Sequence, residues 1–62
     1  MEPSEIKPGR YYRAIDMYED ARIDVQVLAP SENVQDHWVC RRQDGRKILL
    51  PSSAILRLLP RG

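Results

Sequence analysis

Sixty-two residues, 42% hydrophobic and 31% charged, make one small domain with five prolines and three glycines to divide it into short elements. Such a chain buries only about 60% of its unfolded surface, so good packing or self-association must supply the stability that a larger core provides. One cysteine and one histidine exclude an intrachain disulfide and a four-ligand Cys/His zinc site within one chain, so no cofactor or metal is expected.

The first ten residues contain no apolar signal core, and with no disulfides the expected location is cytoplasmic. No run approaches the roughly 20 apolar residues of a membrane span, so no membrane contact is expected. The net charge of +1 is unevenly spread: residues 1–36 carry −4 and residues 37–62 carry +5. This asymmetry fits either a surface for an anionic partner or two halves that neutralise one another in the fold or in a dimer.

Pro3 to Gly9 reads as a lead-in segment, and Lys7-Pro8-Gly9 predicts a turn because Pro presets φ and Gly is permissive. Residues 10–18 are rich in strand formers, and Glu19-Asp20 makes a polar break. Tyr11, Ala14, Ile15, Tyr18, Ala21 and Val25 also fit helical spacing, so a helix over about residues 10–22 is the rival reading. Residues 22–28 alternate, with Ile23, Val25 and Val27 on one face and Arg22, Asp24 and Gln26 on the other, which is a half-buried strand. Pro30 to Asp36 is polar and predicts a loop. Residues 37–51 predict a hairpin about Asp44-Gly45. Pro51 to Ile55 predicts a short helical turn capped by Ser52 or Ser53, and Leu56 to Leu59 either extends it or forms a last strand before Pro60.

A two-residue Asp-Gly loop favours the type I′ turn and fixes a register. Arg42 then faces Lys47, Arg41 faces Ile48, Cys40 faces Leu49, Val39 faces Leu50 and Trp38 faces Pro51. One face holds Val39, Ile48, Leu50 and Arg41, which suits a core. The other holds Trp38, Cys40 and Leu49, with Arg42 beside Lys47. Arg42 opposite Lys47 sets like charges together, an arrangement that an anion would relieve. Trp38 reads either as a core residue or as a surface platform, and Cys40 reads as a small buried hydrophobe.

No catalytic set emerges. Asp36 and His37 are neighbours whose side chains diverge in a strand, and Ser52-Ser53 fits a cap better than a nucleophile. Asp16, Glu19, Asp20 and Asp24 lack the spacing of a calcium loop, and the glycines form no phosphate-cradling motif.

The order of elements resembles the SH3-like small β-barrel superfamily over about residues 6 to 59. Lys7-Pro8-Gly9 followed by Tyr12-Arg13-Ala14 is similar to the opening of Tudor and KOW-type barrels, and Leu50-Pro51-Ser52-Ser53-Ala54-Ile55 to the Pro-Ser turn that closes an SH3 domain. The resemblance implies an all-β fold: a five-stranded SH3-like barrel, residues 9–59, with a short helical turn before its last strand. Ala54 and Ile55 stand where an SH3 domain usually has a tyrosine, and no second Trp follows Trp38, which argues against proline-peptide binding. The four aromatics give little support to a methyl-lysine cage. Type II dihydrofolate reductase shares this barrel as a tetramer, but Ile48 and Leu50 replace the Gln and Tyr of its Val-Gln-Ile-Tyr motif, so its activity is not carried over.

The expectation is therefore a non-enzymatic module that binds a protein partner, or itself, through the hairpin face and closing turn. Trp38, Arg42, Lys47, Leu49 and Pro51 are the candidate contacts, with Tyr12 or Tyr18 beside them. The alternative is nucleic-acid binding by Arg41, Arg42, Arg46, Lys47 and Arg57.

Overall fold

A computed structural model describes residues 1–60. Five antiparallel strands form one sheet: β1 (Tyr11–Asp16), β2 (Ala21–Pro30), β3 (His37–Arg42), β4 (Lys47–Pro51) and β5 (Ile55–Leu58). Their order across the sheet is β4-β3-β2-β1-β5. The only helical pieces among the described residues are two 3-10 turns, Pro3–Glu5 and Ser52–Ala54. The all-β expectation stands, and the helix considered for residues 10–22 is replaced by β1 and the start of β2.

Alternation explains both strands. Tyr12, Ala14 and Asp16 are buried on one side of β1, while Tyr11, Arg13 and Ile15 lie on the other. Val25 and Val27 are buried in β2, and Ile23 packs beside them. The strand runs beyond its expected end at Leu28 as far as Pro30, which pairs with Trp38. A bulge near Leu28 bends β2, and another in the β1–β5 pairing follows Arg13.

The link between β4 and β5 constrains the sheet's shape. These strands occupy opposite edges, yet only Ser52–Ala54 separates them. Four residue steps reach about 14 Å, whereas four strand spacings in a flat sheet span about 19 Å. The sheet must therefore curl, and its concave side encloses Tyr12, Ala14, Val25, Val27, Cys40, Leu50 and Ile55. Tyr12 ties the lead-in segment to this core, its hydroxyl accepting from the Lys7 amide at 2.8 Å and donating to the Glu5 carbonyl at 3.4 Å.

The β3–β4 hairpin departs from the expected register by one residue. Trp38 faces Leu50, Val39 faces Leu49, Cys40 faces Ile48 and Arg41 faces Lys47. The cause is the turn. Gly45 takes positive φ (89°) but Asp44 does not, which excludes type I′. The Gly45 amide bonds the Arg42 carbonyl at 3.0 Å, and the Arg42 amide bonds the Arg46 carbonyl at 2.8 Å. This is a type I turn over Gln43-Asp44, with Gly45 supplying the bulge that restores strand twist. The Asp44 carboxylate locks it by accepting from the Arg46 amide at 3.0 Å.

The slip exchanges the β4 side chains between faces. Ile48 and Leu50 join Trp38, Cys40 and Arg42 inside, while Leu49 and Lys47 join Val39 and Arg41 outside.

Candidate functional site

The inward end of β1 carries an acid. Asp16 is 1% exposed, and its two carboxylate oxygens are both engaged. Oδ1 accepts from the Tyr18 amide at 2.9 Å, and Oδ2 accepts from Arg42 Nη1 at 2.6 Å. Arg42 reaches this position because β3 alternation turns it inward behind Cys40, leaving its side chain 17% exposed. Glu19 and Asp44 flank the guanidinium at 3.7 and 3.9 Å. The tie fastens the β1–β2 turn to the β3–β4 hairpin, two segments far apart in sequence.

Between those two segments lies a cleft of about 340 Å³. One wall presents Glu19 and Tyr18, the latter 81% exposed; the other presents Arg46, Lys47 and Leu49. Among the described residues, no carboxylate oxygen lies within 4 Å of the side-chain nitrogens of Arg46 or Lys47, although the Asp44 carboxylate accepts from the Arg46 backbone amide. The cleft thus combines an aromatic ring, an aliphatic side chain and two cations available to an outside anion.

Of the expected contacts, Arg42, Lys47, Leu49 and Tyr18 come together around this cleft. Trp38 does not: it turns inward, packs against the core and donates Nε1–H to Ser52 Oγ at 3.0 Å. Tyr12 is fully buried. Pro51 lies at the far end of β4, beside a broad depression of about 660 Å³ that also meets His37 and Met1. Ser52 caps nothing; buried, it donates to the Asp36 carbonyl at 3.1 Å and so joins Trp38 to the β2–β3 loop.

The basic set is divided. Arg42 belongs to the buried tie, Arg46 to the turn, and Arg41, Lys47 and Arg57 to the outward face of the sheet. Tyr11, Arg13 and Arg22 share that outward face and were not among the expected site residues. The alternation of Tyr11-Arg13-Ile15 against Tyr12-Ala14-Asp16 is the signal that places Tyr11 and Arg13 there.

Reactive chemistry is sparse. Burial pushes the Cys40 thiol up to about 12, so it remains protonated near neutral pH. Among the described residues, no group of three His, Cys, Asp or Glu side chains converges to hold a metal ion. Among the described residues, no helix is long and apolar enough to cross a membrane. No family model, curated protein or solved structure matches the chain.

Proposed function

We propose that this chain is a non-enzymatic interaction module with an SH3-like barrel, and that it takes a segment of a protein partner in the cleft between the β1–β2 turn and the β3–β4 hairpin. The strand order β4-β3-β2-β1-β5 and the 3-10 turn joining the two edge strands support the barrel reading. The observation that carries the binding reading is the division of labour among three neighbouring cations. Arg42 is consumed by Asp16, while Arg46 and Lys47 stand beside exposed Tyr18, and among the described residues no carboxylate oxygen lies within 4 Å of their side-chain nitrogens. The complementary ligand is an acidic peptide with one apolar side chain to lie on Tyr18 and Leu49. Aromatic anchors dominate interfaces, and flanking charges set selectivity and on-rate. So small a footprint belongs to the weak, transient class of contacts.

The test is a titration of isotope-labelled protein with two synthetic peptide pools, followed by NMR. One pool sets Leu, Trp or Pro among Glu and Asp; the other replaces the acids by Lys. The acidic pool is expected to shift amides of residues 16–19 and 46–49, and Tyr18→Ala to weaken that response several-fold. Equal responses to both pools, or none at these amides, would refute the assignment.

A further inference from the structure

Charge is segregated on the convex side of the sheet. Of nine acidic side chains, Asp16 is buried and only Asp24 lies outward on a strand; the other seven fall in turns, loops and the N-terminal segment. Five cations share the outward face: Arg13, Arg22, Arg41, Lys47 and Arg57. Arg13 binds Asp24 at 2.6 Å. Among the described residues, no carboxylate lies within 4 Å of the other four.

Two like-charged pairs also face one another directly, Arg13 with Arg57 and Arg41 with Lys47. Opposed like charges destabilise a sheet, and a surface serving only solubility would intersperse signs. Lys47, Arg41, Gln26 and Tyr11 form a continuous row across β4, β3, β2 and β1, about 14 Å long at the usual strand spacing. A groove of about 410 Å³ lies along the Arg41, Gln26 and Tyr11 part of it, and Asp24, whose carboxylate is held by Arg13, lines it too.

We propose that this convex face binds single-stranded nucleic acid, with Arg41, Lys47, Arg57 and Arg22 meeting backbone phosphates and Tyr11 stacking on a base. Four of the five cations are arginines, whose planar fork matches phosphate oxygens. Successive phosphates relieve both like-charged pairs at once. An aromatic ring within a basic row suits unstacked bases, which a duplex does not offer. This face adjoins the Tyr18 cleft along the hairpin: Lys47 and Leu49 border both, and Arg42 lines the groove as well as the cleft, whereas Tyr11, Arg22, Arg41 and Arg57 do not line the cleft.

The probe is a fluorescein-labelled 15-nucleotide oligo-dT, read by anisotropy between 50 and 200 mM NaCl. Three to four phosphate contacts give a slope of about −2 to −3 in log affinity against log salt. The R41Q/R57Q variant, altering two exposed side chains, should bind at least tenfold more weakly at 50 mM salt while melting like the parent. Its salt slope should be shallower by about 1.4, the share of two contacts. Tyr11→Leu should weaken oligo-dT several-fold at an unchanged slope. The proposal is overturned if oligo-dT does not bind at 50 mM salt, if a 15-residue polyglutamate binds as well, or if R41Q/R57Q binds like the parent. It is equally overturned if a duplex of the same length binds more tightly and Tyr11→Leu has no effect.

Discussion

Arg42→Ala isolates the contribution of the buried tie. It removes the charged partner of Asp16, a carboxylate 1% exposed, and leaves it only the Tyr18 amide. Breaking a buried pair by deleting one member costs about 3–5 kcal/mol. The lower end applies here, about 3 kcal/mol, because the Arg42 side chain retains 17% exposure and one hydrogen bond to Asp16 survives. A domain of 62 residues has about 3–9 kcal/mol of total stability at the usual 0.05–0.15 kcal/mol per residue. The variant should therefore keep only about 0–6 kcal/mol, and at the lower end of that range it is partly unfolded at room temperature. Urea denaturation followed by far-UV circular dichroism reads this directly. With a slope near 1 kcal/mol per molar, expected for so small a chain, the midpoint should fall by about 3 M. Asp16→Asn is the informative companion: Arg42 keeps Glu19 and Asp44 nearby, and the loss should be only about 1 kcal/mol. An Arg42→Ala protein within about 0.5 kcal/mol of the parent would refute the tie, since that is the range of unconstrained surface substitutions.

Gly45→Ala should destabilise by about 1–2 kcal/mol from backbone strain alone, because φ is +89° and the added methyl meets nothing within 4 Å; thermal melting checks this. Ser52→Ala should cost about 1–3 kcal/mol in the same assay by leaving the Trp38 N–H without its partner, and the near-UV circular dichroism of Trp38 should change with it. Cys40 should resist a thiol reagent at pH 8 in the folded protein and react at the rate of unfolding, because burial holds the thiol protonated up to about 12. The folded pKa lies above the ordinary 9.0, so the unfolded chain releases its proton first. Stability should then fall as pH rises from about 9 toward 12, and Cys40→Ala should flatten that part of the urea-midpoint profile.

The strands were legible where side-chain period alone decides. Ile23, Val25 and Val27 marked one face of β2, and they pack there. The hairpin's existence was legible too, but its register was not. Asp-Gly suits both a two-residue I′ loop and the last two positions of a type I turn, and these differ by one residue. The choice lies outside the hairpin: Val27 in β2 pairs with Cys40 and turns it inward, so Ile48 and Leu50 must follow to complete the core. The other register would leave both aliphatic side chains on the convex side. Asp16 was hidden for a related reason, since a buried acid makes sense only once Arg42 arrives from 26 residues away. The candidate cleft was thus half visible, through Arg42, Lys47, Leu49 and Tyr18. Trp38 stayed open between core and surface because β3 read in isolation does not reveal which of its faces turns toward Ser52; it packs against the core.

Both proposed surfaces depend on how the hairpin sorts its cations, Arg42 inward and Arg41 with Lys47 outward. Cross-strand nuclear Overhauser contacts measure this sorting directly. Contacts linking Arg41 with Lys47 and Val39 with Leu49 are the predicted result. Contacts linking Arg41 with Ile48 and Val39 with Leu50 would shift every β4 side chain to the opposite face and contradict the account.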